Sequence, residues 1–222
     1  VWTEHFVQSL FNKVDYLSYI LIDYNVDILC ITEHWLTDME LQLIKIPGFS
    51  LENCFCRVNK YQHGGSAIFV KNGIQVKKLN CIQMAQERIF EVCSTFVESI
   101  YAVCICFYRA PDNSRNVFES FLSQFYEFFN YLYTNFKNAN VILTGDFNVD
   151  FLSNCVELNE IQNLFDSFGL RITNRQATHP GRNESNGTCL DNIVTNIHDE
   201  KCSTSLVQTI VSDHNALICN VY

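Results

Sequence analysis

No apolar run in this sequence approaches the roughly 18 residues needed to cross a bilayer, and its first residues lack the charged, apolar and small-residue succession of a signal peptide. Proline and glycine are scarce, three and eight in 222 residues, and no Pro/Gly/Ser-rich linker, repeat or low-complexity tract divides the chain. One domain spanning residues 1–222 is therefore expected, with 48% hydrophobic content ample for a sizeable core. Positive charge is also short: 15 Lys and Arg stand against 24 Asp and Glu, a formal net charge of -9. Phosphate binding needs clustered cations, so a uniformly basic surface is excluded, while a local basic rim is not.

Two basic neighbourhoods exist. Arg57, Lys60, His63, Lys71, Lys77 and Lys78 surround one strand, and Arg171, Arg175, His179 and Arg182 lie in a late loop. Each reads equally as ordinary solvated surface. The eleven cysteines are odd in number and several sit inside apolar runs such as IYAVCICFY and LICNVY, where free Cys behaves as a small hydrophobe. That pattern argues for a reducing compartment rather than a disulfide framework, and so for a soluble, intracellular protein. Asn183-Glu184-Ser185 and Asn186-Gly187-Thr188 match the glycosylation acceptor pattern, with no other sign of secretion.

What is present centres on residues 141–148, VILTGDFN: an apolar run leading straight into a glycine, an acid, an aromatic and an amide. It reads as a buried strand that presents polar groups at its end, which makes Asp146 and Asn148 the centre of a candidate site. Taken alone the octamer reads equally as a strand and a turn, since Gly, Asp and Asn are turn residues.

Along the chain, residues 7–24 carry apolar side chains at helical spacing, and 27–32, DILCIT, form a short buried strand ending at Glu33. Glu33 there suits a metal ligand or an exposed strand-end acid. Residues 63–72 predict a Gly-Gly turn into a strand, with Asn72-Gly73 a hairpin signal. Residues 88–97 and 100–108 predict two strands joined at Glu98-Ser99, the second ending in Tyr108 and Arg109. A phosphate contact or a core-edge Tyr with a surface Arg explains that pair equally. The phenylalanines of 116–134 repeat at helical spacing, so they predict a core face rather than a base-stacking platform, and a third helix follows over Leu158, Ile161, Phe165 and Phe168. The loop at 173–188 is placed to lie over a groove. Two late strands complete the chemistry: 189–196 carries Asp191 in an apolar context, costly unless paired or metal-bound, and Ser212, Asp213 and His214 sit between Ile210-Val211 and a final strand at 216–222.

The blocks ITEHWL, GGSAIFVKN, CFYRAP, ILTGDFNVD, CLDNIVTN and VSDHNALI, in this order, resemble the endonuclease/exonuclease/phosphatase superfamily. Within it they are most similar to the apurinic-type endonuclease domains of jockey-like non-LTR retrotransposons. The resemblance implies an α/β fold: a two-sheet β-sandwich flanked by helices, with the site at one rim. The independent reading of eight to ten strands and three helices agrees. It also implies a Mg²⁺- or Mn²⁺-dependent phosphodiester hydrolase that nicks DNA, with a reverse transcriptase of the parent element as a partner and nuclear action on chromosomal DNA. Residue by residue, Glu33 resembles the metal-binding glutamate and Asp213 the acid beside the metal. Tyr108 resembles the tyrosine near the scissile phosphate, Asp146 the acid that handles the attacking water, Asn148 the phosphate-binding amide, and Asp191 the carboxylate that orients the catalytic His214. One departure stands out. The family carries an Asn at the end of its first strand, where this chain has Phe6, which neither ligates metal nor accepts a hydrogen bond; Gln8 reaches the slot only in a changed register. A short first strand and reduced activity follow, so a catalytically impaired remnant stands as an alternative, beside a phosphatase-type hydrolase of the same superfamily.

Overall fold

The computed structural model describes residues 2–6 as backbone, and 9–58, 63–112, 114–181, 187–209 and 212–222. Gln8, Lys60, Arg182, Asn183, Ser185, Asn186, Ile210 and Val211 lie outside them, as does the side chain of Phe6. In chain order the elements are β1 (Trp2–Phe6), α1 (Val14–Asp23), β2 (Ile28–Thr32), α2 (Asp38–Leu43), β3 (Phe49–Phe55), β4 (Ser66–Lys71), β5 (Val76–Leu79), β6 (Glu91–Val97), β7 (Ala102–Tyr108), α3 (Arg115–Asn135), β8 (Asn140–Asp146), α4 (Val156–Ser167), β9 (Arg171–Ile172), β10 (Asp191–Thr195), β11 (Cys202–Val207) and β12 (Ala216–Val221). They build two six-stranded sheets, ordered β11-β12-β1-β2-β4-β3 and β5-β6-β7-β8-β10-β9.

The apolar runs explain the layering. Side chains alternate across a strand, so β2 sends Ile28 and Cys30 between the sheets and Leu29 and Ile31 into a layer shared with Leu17 and Leu21 of α1. In β7, Ala102, Cys104 and Cys106 face the other sheet, while Val103, Ile105 and Phe107 meet the phenylalanines of α3. In β7 the small residues thus face the other sheet and the large ones sit under α3. Six cysteines, Cys30, Cys93, Cys104, Cys106, Cys202 and Cys219, belong to the inter-sheet layer, and all eleven are free. The stripe predicted as core is core: Phe118, Phe121, Phe125, Phe128 and Phe129 of α3 are buried, each burial contributing about 1.5–3 kcal/mol.

Three details differ from expectation. The first helix starts at Val14, after a 3-10 turn at Leu10–Asn12, because the N–H groups of Ser9 and Leu10 bond the carbonyls of Glu33 and His34, both at 3.3 Å, instead of entering a helix. Asn72-Gly73 does turn the chain, with Ile74 N–H on Lys71 O at 3.2 Å. It makes no hairpin, however, since β4 and β5 lie in different sheets. There are also twelve strands among the described residues, β3, β9 and β11 having no clear apolar period, and α2 is a fourth, short helix.

Candidate active site

Register brings the predicted acids together. β7 runs parallel to β8 with Tyr108 beside Asp146, and β10 runs antiparallel to β8 with Asp191 beside Asp146. Three neighbouring strand ends therefore present Tyr108, Asp146 and Asp191 as one row. The other sheet closes on it. Glu33 follows β2 and accepts a hydrogen bond from the Tyr108 hydroxyl and one from the Trp35 indole N–H at 3.2 Å. His214 precedes β12, its Nδ1 2.7 Å from Oδ2 of Asp191. Asp213 stands at the edge, its Oδ2 3.8 Å from Nε2 of His179.

The GDFN turn is tightly specified. A Cβ on Gly145 would lie 2.0 Å from the Phe107 carbonyl oxygen, so only glycine lets β8 approach β7. Asn148 adopts φ 48°, a left-handed conformation that Asn tolerates. Its backbone N–H donates to Oδ1 of Asp146 at 2.8 Å and its side-chain amide to Oδ2 at 3.1 Å. Arg109, read from sequence as a phosphate contact or a surface residue, is neither. It is buried, and its guanidinium bonds the carbonyls of Phe147, Asn148 and Asp112 at 3.1, 3.2 and 2.7 Å. It clamps the turn from behind.

Burial pushes the Asp146 carboxyl well above the ordinary range; Asp191 and Glu33 add to the shift, while His214 and the Asn148 N–H oppose it. His214 is also pushed upward on balance. Burial disfavours its cation, but Asp191, Asp146 and Asp213 raise it to about 9. Burial, then Glu33 and Asp146, drive the Tyr108 hydroxyl upward, so it stays a donor toward Glu33. The row holds an imidazole that is cationic below about pH 9 and a carboxyl of raised basicity.

The sequence profile of the Endonuclease/Exonuclease/phosphatase family matches residues 7–214. The chain belongs to this family of phosphoester hydrolases. Solved structures share the fold at low identity. The endonuclease domain of TRAS1, a telomere-specific non-LTR retrotransposon, is 14% identical with TM-score 0.72, covering 99% of this chain and 97% of its own. The AP endonuclease LMAP from Leishmania major is 15% identical with TM-score 0.78, covering 100% and 87%. The 3'-5' exonuclease NExo from Neisseria meningitidis is 19% identical with TM-score 0.74, covering 99% and 98%. No curated protein matches the sequence.

Several supports of this family site were not legible as such in the sequence. Arg57, grouped there with surface cations, is buried and paired with buried Glu91, Nε to Oε1 at 2.6 Å. Glu91 also accepts from the N–H of Gly65 and Arg88 at 2.6 and 2.7 Å, and burial pushes its carboxyl upward against those partners. Gly65 in turn accepts from the Glu33 N–H at 2.9 Å, holding Glu33 at φ 55°, a strained backbone for a glutamate. A Cβ on Gly65 would strike the His34 ring at 2.3 Å. The signal for Glu91 was present, an acid inside the apolar stretch RIFEVCS. Thr178, buried in the late loop, accepts from Leu190 and Asp191 N–H at 3.0 and 3.1 Å, while its carbonyl takes Asn215 N–H at 2.7 Å. It ties β10 to the His214 segment.

Among the described residues, several members of the two basic neighbourhoods are paired locally or lie apart from the others. Lys71 pairs with Phe49 at the opposite end of β3 and β4 from Phe55 and Ser66, Lys77 bonds Glu98, and Arg171 bonds the Ile197 carbonyl and Asp199. At the rim itself His63 stacks on Trp35, ring centroids 3.8 Å apart, and His179 lies 4.9 Å from the His214 ring. A cavity of about 400 Å³ lies at the other end of β7 and β8, lined by Val103, Leu132 and Phe136 among others. It contains none of these acids, so cavity size does not locate the chemistry.

The carboxylate oxygens suit a hard divalent cation, while the His214 ring, cationic below about pH 9, does not ligate one. One oxygen each of Asp146 and Asp191 and a ring nitrogen of His214 lie within 4.8 Å of one another. Oδ1 of Asp191 is buried and accepts no hydrogen bond within the protein, a state that favours a bound ion. Glu33, a metal residue by resemblance, is tied to this row through Tyr108; Asp213 is outside the compact set. No described helix is long and apolar enough to cross a membrane.

Proposed function

We propose that the chain is a divalent-metal-dependent phosphodiesterase that nicks DNA and leaves a 3′-hydroxyl, as a retrotransposon target-nicking endonuclease does. The observation that carries the reading is the row of Tyr108, Asp146 and Asp191 in register, with His214 bonded to Asp191 at 2.7 Å. Hydrolysis of a phosphodiester needs a proton acceptor for water and positive charge against the phosphoryl oxygens. Asp146, raised by burial and neighbouring acids, takes the proton. His214, cationic below about pH 9, faces the negative phosphate. Asp191 fixes the imidazole through Nδ1, the orientation that an acid behind a histidine provides, and Asn148 holds Asp146 in place. Glu33, with Asp213 at the edge, would hold Mg²⁺ or Mn²⁺, which when bound would supply Lewis acidity to the phosphate and to the leaving alkoxide.

DNA is the proposed substrate because proteins of this fold include a telomere-specific retrotransposon endonuclease, an AP endonuclease and a 3' phosphatase solved with a product DNA hairpin. A reverse transcriptase from the same element is the proposed partner. One observation favours a slowed enzyme. Phe6 is the last residue of β1 and pairs with Thr32, immediately before Glu33, so we assign it to the slot of the family's first-strand Asn. The test is nicking of supercoiled plasmid by the purified chain with Mg²⁺, with Mn²⁺ and with chelator, beside His214→Ala. Metal-dependent nicking lost in the variant supports the reading; nicking that survives in chelator, or in the variant at the wild-type rate, overturns it.

A further inference from the structure

A second cluster of ligating atoms lies on the helix-covered face of the first sheet. Cys54 and Cys56 are two residues apart at the end of edge strand β3, so extended backbone points both thiols to the same side. Both pack against the layer that includes Leu41 of α2. Asp38 is the first residue of α2, and a capping box between Thr37 and Glu40 fixes that helix start. The Cys54 thiol donates to Oδ1 of Asp38 at 3.7 Å. One carboxylate oxygen and the two sulfurs all lie within 4.8 Å of one another.

We propose that Asp38, Cys54 and Cys56 form a binding site for a thiophilic divalent cation of the zinc class. With Zn–S near 2.3 Å and Zn–O of about 2.0–2.2 Å, tetrahedral ligands sit about 3.5–3.8 Å apart, so the cluster closes on an ion with little movement. Two thiolates select such an ion over the hard Mg²⁺ of phosphoester chemistry. Binding releases the two thiol protons and sets two thiolates and one carboxylate around a dication. His34 is not the fourth ligand. Its Nδ1 accepts from Leu36 N–H at 3.1 Å, so its Nε2 carries the proton and donates to the Phe55 carbonyl at 3.0 Å. That nitrogen also lies 3.9 Å from the Cys56 sulfur. The fourth position falls to water. The site pins the start of α2 to the end of β3 on the sheet's helix-covered face.

The test is titration of the reduced chain with Co²⁺, followed by absorption, with Zn²⁺ as competitor. The expected result is one thiolate-bound Co²⁺ per chain, with visible bands of tetrahedral coordination and a sulfur-to-cobalt charge-transfer band that Zn²⁺ removes. That band falls by about half in Cys54→Ser and in Cys56→Ser and vanishes in the double variant, as each thiolate contributes. Asp38→Asn keeps it but binds roughly 10–100-fold more weakly, the scale of a disturbed ligand shell. No charge-transfer band, or one unchanged in the double variant, overturns the proposal. Should the double variant misfold, Zn²⁺ protection of Cys54 and Cys56 in the unaltered chain from alkylation decides instead: protection supports the site and equal labelling with and without Zn²⁺ overturns it. The catalytic row holds no sulfur, so the readout is independent of it, and Cys54→Ser is expected to nick DNA as the unaltered chain does.

Discussion

His34 and His214 are both buried, at 0% and 6% exposure, yet one is held neutral down to about pH 4 and the other cationic up to about 9. Burial alone disfavours the cation in both. The His34 ring nitrogens meet the Phe55 carbonyl, the Leu36 N–H and, at 3.9 Å, the Cys56 sulfur, so desolvation wins. Around His214 stand Asp191, Asp146 and Asp213, and their charge outweighs the same penalty. On the His34 side of the rim the compensated charge belongs to Arg57 and Glu91 instead. Of two imidazoles, each two residues from a strand of the same sheet, one is thus neutral and the other cationic at neutral pH.

The largest expected contrast is in activity. His214→Ala is expected to lower metal-dependent nicking about 10²–10⁴-fold, the range for a lost proton-transfer or charge-stabilising group, with the circular dichroism spectrum unchanged. His34→Ala should instead cost about 1–3 kcal/mol of stability, by stranding two buried backbone groups, and retain nicking per folded molecule. Equal loss of activity in both would break the comparison.

Next comes the charge pair beneath His34. Arg57→Ala leaves Glu91 buried without its cation and is expected to destabilise the fold by about 3–5 kcal/mol in urea denaturation; a change under 1 kcal/mol, by the same principle, would place Glu91 in contact with water.

The pH dependence separates the two histidines by sign. The folded value of His34 lies below its ordinary 6.5, so its contribution is present above 6.5 and lost as pH falls through 4. The folded value of His214 lies above 6.5, so its contribution is full below 6.5 and lost as pH rises through 9. Each is worth about 3 kcal/mol at its limit. Denaturation across pH, repeated in His34→Gln and His214→Gln, checks this: each variant should flatten only its own limb.

Asp191→Asn sharpens the cause. Removing the closest carboxylate should bring the His214 titration, followed by NMR of the ring protons, down from about 9 toward 6.5. No movement would assign the shift to Asp146 and Asp213. The smallest effect is expected at the rim: Phe6→Asn should raise nicking about tenfold, worth about 1.4 kcal/mol of barrier, and an unchanged rate in a folded variant would take residue 6 out of the amide slot.

Much of the fold was legible. Apolar runs of five to seven residues predicted β2, β7, β8 and β10, and the phenylalanine spacing predicted α3, because local periodicity reports burial directly. Runs without a clean period, as in β3 and β11, gave no such report. Asn72-Gly73 was legible as a turn, but whether its flanking strands pair is decided by which sheet each joins. The acids at strand ends were legible as candidates. Arg57 and Arg109 were not legible as buried clamps, since a guanidinium is read as surface until the carboxylate or carbonyls that satisfy it are known.

By itself the sequence determined which residues end their strands in polar groups, because strand length and apolar alternation are local properties. It also determined family membership, through the order of those strand ends. Only the tertiary structure decided that Asp146 and Asp191 sit side by side, that His214 is charged and His34 is not, and that Asp38 meets two thiols. The physical reason is one of range: burial pattern is set by neighbours along the chain, whereas charge state and ligand geometry are set by groups within a few ångströms that the chain brings from far away.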